Sequence, residues 1–228
     1  VVAFMIGISA AQGAHAGPLM PVNLRCDSLT DPLATRGGAP RLSWSFPSSE
    51  ALQAQTAYQI LVSSTLEGLQ KDLGDLWDSG RIQSDQSQGV EFCGKPLQSR
   101  QAAFWKVCVW DQGGRRSAWS EVGQWRVGLM NENDWQARWI ALSEDADPDS
   151  PETGPAPYLR KTFELTKQVK SATVYVSGLG YYELYLNGEQ VGDQVLSPAP
   201  TNYDTRNLRH LLYDYSDRTS TRVLYNTF

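Results

Sequence analysis

Between Pro21 and Leu129 the chain alternates short apolar-rich runs with turn-forming residues, a rhythm that predicts antiparallel strands. The runs are Val22 to Cys26, Arg41 to Phe46, Ala57 to Ser63, Leu76 to Gly80, Gly89 to Phe92, Ala103 to Asp111 and Gly123 to Val127. In the third of them Tyr58, Ile60 and Val62 fall on one face, because successive side chains of a strand point to opposite sides. Leu42 and Trp44 alternate with polar neighbours in the same way, which marks a half-buried strand. Gly113-Gly114 supplies a turn between the last two long strands. The reading is a two-sheet sandwich.

The pattern breaks between Asn131 and Pro157, where Glu144-Asp145-Ala146-Asp147-Pro148-Asp149-Ser150-Pro151-Glu152 and Gly154-Pro155-Ala156-Pro157 are acidic, proline-rich and poor in apolar residues. This composition predicts a solvated loop; it lacks the spaced Asp/Asn and closing Glu of an EF-hand calcium loop. Strand-like runs resume at Tyr158 to Phe163 and Ser171 to Ser177. Asn187-Gly188 then stands between Tyr181 to Leu186 and Glu189 to Gly192, and Asn-Gly between two such runs is a strong hairpin signal because both turn residues need positive φ. The second half is therefore also antiparallel β, and neither an internal repeat nor a helical period of useful length is present.

Composition agrees with this reading. Across 228 residues there are 19 Gly, 12 Pro and 8 Trp, 10 Tyr and 6 Phe, with 20% charged residues, which favours a turn-rich β protein of two domains over a helical bundle. An apolar content of 41% can fill a core, so disorder is excluded as a general description. The net charge of −5 is spread along the chain without a basic stripe, so nucleic acid and anionic membranes are not expected partners. No stretch approaches the ~20 apolar residues of a spanning helix.

Residues Val1 to Ile8, followed by small residues and Ala14-His15-Ala16, have the apolar core and cleavage pattern of a secretory signal peptide, read here as a remnant. The competing reading is a short apolar first strand. Cys26, Cys93 and Cys108 are too few and too irregular for a disulfide framework or a zinc site; on export one pair could bond, with Cys93 to Cys108 preferred. His15 leaves with the signal, and His210 alone builds neither a triad nor a metal cage. Trp44, Trp77, Trp105, Trp110, Trp119 and Trp125 could stack on sugar rings, but core packing is the expected role of most.

Seven strands match an immunoglobulin-like or fibronectin type III-like sandwich. Pro40-Arg41-Leu42-Ser43-Trp44, Gln55-Thr56-Ala57-Tyr58-Gln59-Ile60 and Leu76-Trp77-Asp78-Ser79-Gly80 resemble the amino-terminal region of bacterial and fungal α-L-rhamnosidases. The likeness continues in order through Phe104-Trp105-Lys106-Val107, Val109-Trp110-Asp111, Ser117-Ala118-Trp119-Ser120, Asp134-Trp135 and Ala137-Arg138-Trp139-Ile140. Leu159-Arg160-Lys161, Gly178 to Leu184, Leu186-Asn187-Gly188, Val191-Gly192-Asp193 and then Thr201, Tyr203, Asp204 and Arg206 resemble the family's second, jelly-roll domain. The resemblance implies an all-β chain of two consecutive antiparallel sandwiches, the second an incomplete jelly roll. Its predicted parts are a signal remnant at 1–16, a fibronectin type III-like domain at 17–129, an acidic linker at 130–157 and the jelly-roll domain at 158–228.

In that family terminal α-L-rhamnose is hydrolysed, with inversion, by acidic residues on a downstream barrel of paired helices. An inverting glycosidase needs an acid and a base ~6.5–9.5 Å apart, and nothing in this sequence pairs two carboxylates for that task. The expected role is thus the non-catalytic front of a secreted or periplasmic rhamnosidase, with the catalytic domain and a rhamnose-containing glycan or glycoside as partners. Stand-alone carbohydrate binding or adhesion is the alternative, and a structural remnant of a disrupted gene a third reading, since Arg222 to Phe228 departs from the family pattern and reads as a divergent tail, a frameshift or a truncation that would leave an open sheet edge.

Tyr182, Glu183, Tyr185, Asp204 and Arg206 are the candidate saccharide contacts. Glu183 could accept sugar hydroxyls and Tyr182 or Tyr185 could stack on a ring, while cross-strand packing of the tyrosines and salt bridges for Glu183 and for Asp204 with Arg206 are the structural alternatives. Some members of the family bind rhamnose with the help of calcium; Tyr181-Tyr182-Glu183 stands where an Asp-Asn-like pair would be wanted, so no cofactor is assigned, with calcium the alternative left open.

Overall fold

The computed structural model describes residues 19–37, 39–47, 54–141, 156–199 and 223–228. The chain divides into two compact units, Val1–Glu132 and Asn133–Phe228. The predicted signal remnant, residues 142–155 of the acidic loop, and Asp204, Arg206 and His210 lie outside the described residues.

The first unit contains β1 (Val22–Cys26), β2 (Arg41–Ser45), β3 (Gln55–Ser63), α1 (Leu66–Gln70), β4 (Trp77–Asp78), β5 (Ile82–Gln83), β6 (Val90–Glu91), β7 (Ala102–Asp111) and β8 (Gly123–Arg126). One sheet has the order β1-β2-β6; the other runs β4-β3-β7-β8, with β5 also paired to β3. All these pairs are antiparallel. This is the all-β sandwich that the hydrophobic pattern predicts, and each of the seven predicted runs contains a strand. The pattern missed β5 and α1, both too short to carry a period. Thr65 caps α1 by accepting the Gly68 N–H at 3.1 Å, so local capping starts a helix that no amphipathic stripe announces.

Alternation on β3 and β7 decides where the core lies. Tyr58, Ile60 and Val62 stand opposite Val109, Val107 and Trp105, and all six face the main apolar cluster. Trp44, Trp105 and Trp125 are almost completely enclosed there. Burying each large apolar side chain contributes about 1.5–3 kcal/mol. Gly123 lets the Trp105 indole lie against β8, since a Cβ there would come within 2.6 Å of Trp105 Nε1. Trp44 Nε1 donates to Gln55 Oε1 at 2.9 Å, and the same buried amide donates to Ser84 O and Gln86 O at 3.0 and 2.9 Å, so these polar atoms are paired, whereas the Trp125 indole N–H is buried without a partner among the described residues.

The edge of β7 beyond its pairing with β8 is occupied as well. Beyond the Gly113-Gly114 turn the chain returns beside β7, and Ser117 N and Ser120 N donate to Val109 O and Val107 O. Where the ladder is irregular, the hydroxyls of Ser117 and Ser120 accept from Val109 N and Val107 N at 3.0 and 3.1 Å. Gly113-Gly114 therefore leads into a strand-like return before β8 rather than directly into it.

The expected Cys93 to Cys108 bond does not form, and all three cysteines are free. Cys108 is buried mid-strand opposite Gln59, whereas Cys93 is exposed beyond β6 of the other sheet. Burial pushes the Cys26 thiol up to about 12, with Asp27 adding to the effect, and burial also raises Cys108.

The second unit is sparser. It contains a short 3-10 turn (Glu132–Asp134) at its border, β9 (Tyr175–Ser177), β10 (Tyr185–Leu186), β11 (Glu189–Gln190) and β12 (Tyr225–Thr227). β10 and β11 form the predicted hairpin, with Asn187 and Gly188 at φ 53° and 88°. β12 pairs antiparallel with β9, so part of the segment that departs from the family pattern folds back as a strand. Tyr158 to Phe163, predicted as a strand, is not one: no strand pairs with it among the described residues, and Tyr158, Leu159 and Phe163 are exposed. No helix among the described residues is long and apolar enough to cross a membrane.

Candidate functional site

The hairpin brings together two of the residues that the sequence singled out. Glu183 and Tyr185, two positions apart and on the same side of the chain, are both exposed, and Tyr185 Oη donates to Glu183 Oε2 at 2.8 Å. This bond to Glu183 and the negative charge beside it raise the Tyr185 hydroxyl above its ordinary range. The pair presents a phenol ring next to a carboxylate with a free oxygen, an acceptor set suited to hydroxyl groups.

Tyr182 turns the other way. Its N–H donates to Ser197 O at 2.8 Å, its hydroxyl reaches Val176 O at 3.5 Å, and burial raises its pKa. It joins the β9 region to the Ser197 segment and does not share a surface with Glu183. The Tyr181-Tyr182-Glu183 stretch offers one carboxylate, already bonded to Tyr185, against the six to eight oxygens that calcium takes, so these residues do not fit that ion. Among the described residues no group of three or more His, Cys, Asp or Glu could hold a metal.

In the first unit the tryptophans divide by role. Trp44, Trp105 and Trp125 are core residues, as expected of most. Trp110 and Trp119 instead build a ladder with cations that sequence reasoning missed. Arg81 lies 4.6 Å from the Trp110 ring centroid, Arg116 lies 5.7 Å from Trp110 and 4.8 Å from Trp119, and Lys106 lies 5.0 Å from Trp119. Lys106 also donates to Leu69 O at 2.7 Å and pairs with Asp72, so its buried ammonium is neutralised. The available signal was Arg115-Arg116 just ahead of Ser117-Ala118-Trp119. The carboxylates of Asp75 and Asp111 hold backbone rather than facing open space: Asp75 accepts from Ser63 Oγ, Ser64 N and Ser64 Oγ, and Asp111 from Gly113 N, Arg115 N and Arg115 Nε.

Comparison with known proteins places this arrangement. Residues 21–131 match the family profile described as "Rha78A-like, N-terminal immunoglobulin domain", and residues 167–222 match "Alpha-L-rhamnosidase N-terminal domain". The chain belongs to the amino-terminal region of the α-L-rhamnosidase family. An α-L-rhamnosidase of Formosa agariphila is 36% identical over 206 residues, which make up 83% of this chain and 22% of the relative. The structure of α-L-rhamnosidase from Dictyoglumus thermophilum superposes with TM-score 0.74 at 37% identity, over 92% of this chain and 23% of that one. The Streptomyces avermitilis α-L-rhamnosidase, solved in complex with L-rhamnose, aligns with TM-score 0.51 at 39% identity over 54% of this chain and 12% of that one. The chain thus spans about a fifth of the length of the rhamnosidases it matches.

Proposed function

We propose that this chain is the non-catalytic amino-terminal region of an exported α-L-rhamnosidase, which braces a downstream catalytic barrel that removes terminal α-L-rhamnose from glycans or glycosides. The observation that carries the proposal is the pair of matches to amino-terminal domains within a chain covering 22% of the relative's length. The commitment of Asp75 and Asp111 to turn-holding bonds adds to it, because carboxylates already saturated by N–H and O–H donors are poorly placed to shuttle protons. On this reading the second unit belongs to a jelly roll, and the exposed Glu183 and Tyr185 contact saccharide while Tyr182 fixes the backbone beneath them.

The test is an assay of the purified chain with an aryl α-L-rhamnoside. No release of the aglycone is expected from this chain alone, while the coding sequence beyond Phe228 should run on into a helical barrel whose carboxylates restore activity. Release by the chain alone that disappears when one of its own carboxylates is neutralised would overturn the proposal. Export is tested separately by locating the amino terminus of the mature protein, expected near Gly17.

A further inference from the structure

The first unit has an open groove of about 350 Å³ lined by residues of both sheets. Trp77 and Asp78 come from β4, Val90 and Glu91 from β6, and Ile82 and Gln86 from the segment between them, with Tyr58 of β3 and Cys93 completing the walls. It lies where the edges of the two sheets part. Phe92 holds the place, packing edge-on against Trp77 at 5.5 Å and Trp125 at 5.7 Å between centroids, so one wall is anchored in the core. The volume falls within the ~300–1,000 Å³ of small-molecule pockets.

The chemistry of the lining is uneven. Trp77 is half-buried and Ile82 is exposed, giving an apolar flank. Tyr58 is mostly enclosed, with its ring packed edge-on against Trp44 at 5.3 Å, and its hydroxyl is accessible at the wall of the groove. The other walls are rich in acceptors. Glu91 is exposed and makes no ion pair among the described residues, while Asp78 uses Oδ1 for Gln59 Nε2 and Gly80 N and leaves Oδ2 open.

An acceptor-rich wall facing an aromatic flank and one accessible phenol hydroxyl calls for a ligand with many hydroxyl donors and an apolar C–H face. Two carboxylates repel anions. Among the described residues no metal-binding cluster exists, and Arg41, the register partner of Glu91 on β2, offsets the negative charge that would otherwise draw an organic cation. We infer that this groove is a saccharide-binding subsite in the immunoglobulin-like unit, with Trp77 under the ring, Tyr58 and Glu91 bonded to its hydroxyls, and a neutral sugar as its ligand. The inference rests on the groove itself and does not require the rhamnosidase reading.

The test is a titration of the isotope-labelled chain followed by NMR at the Trp77 indole N–H, assigned by its loss in Trp77→Phe. The probes are L-rhamnose, D-mannose, D-glucose and, as the rival cation, an oligolysine peptide. A saturable shift with at least one sugar, half-complete at about 1–10 mM, is expected. Tyr58→Phe keeps the ring against Trp44 and removes only the hydroxyl, and Glu91→Gln alters an exposed side chain, so both should fold; each should weaken binding roughly twofold to tenfold. Tyr185→Phe on the hairpin should leave the shift unchanged. No saturable response to any sugar at about 100 mM, saturation by the peptide alone, or shifts indifferent to both groove variants would each overturn the inference.

Discussion

The two units solve the same problem with unequal means. In the first, long central strands let Trp44, Trp105 and Trp125 disappear into one cluster, and side-chain hydroxyls complete the ladder where it is irregular. In the second, the described strands are two or three residues long, and Leu159, Phe163, Leu186 and Val195 remain exposed. The first unit draws its order from burial. The second draws more of its order from local turn chemistry, and the two should answer differently to the same perturbations.

The largest effect is expected from Trp105→Ala, which should destabilise the first unit by about 3–5 kcal/mol in urea unfolding followed by fluorescence. A loss below about 1 kcal/mol would mean that the tryptophan cluster is not what separates the units. Ser117→Ala removes the hydroxyl that meets the buried Val109 N–H and should cost about 1–3 kcal/mol. In the second unit Gly188→Ala places a side chain at φ 88°, which should cost about 1–2 kcal/mol and broaden the signals of Tyr185 to Gln190 while those of the first unit stay put.

Acid sharpens the same contrast. Asp111 is enclosed, which by itself raises its pKa, but the N–H groups of Arg115 and Gly113 and the Arg115 side chain outweigh burial and leave it lowered. Asp75 is lowered likewise, with hydrogen bonds from Ser64 and Ser63 overcoming desolvation. A carboxylate whose folded pKa is depressed contributes stability that is fully present above its unfolded value of about 3.9 and is lost as pH falls through the folded value. The first unit should therefore lose stability in the window below about pH 4, and Asp111→Asn should flatten that dependence. The smallest effect belongs to Glu67→Gln in α1: its bond to Lys71 at 2.5 Å is exposed and worth about 0.3–0.5 kcal/mol.

Much of the first unit was legible because period-two alternation in Ala57 to Ser63 and Ala103 to Asp111 reports burial directly, and each long strand has two neighbours to pair with. The hairpin was legible for another reason, since Asn187-Gly188 encodes its backbone conformation locally. Tyr158 to Phe163 misled because an apolar run makes a strand only where a partner lies beside it, and none does among the described residues. The Trp110, Arg116, Trp119 and Lys106 ladder was invisible because its members come from different segments and meet only after the return past Gly113-Gly114. Of the candidate contacts, alternation correctly separated Tyr182 from Glu183, but nothing in the sequence revealed that Tyr185 would bond to that carboxylate. The place of Tyr58 in the groove escaped notice because strand pattern assigns a tyrosine to a face without saying what opens beside its oxygen.

Cys93 gives the molecule a practical property. Cys26 and Cys108 are enclosed and their thiols resist ionisation, whereas Cys93 stands in the open at the rim of the groove. Mild maleimide chemistry near neutral pH should therefore attach one dye per polypeptide without any engineered mutation, and that dye would sit within reach of whatever enters beside Trp77.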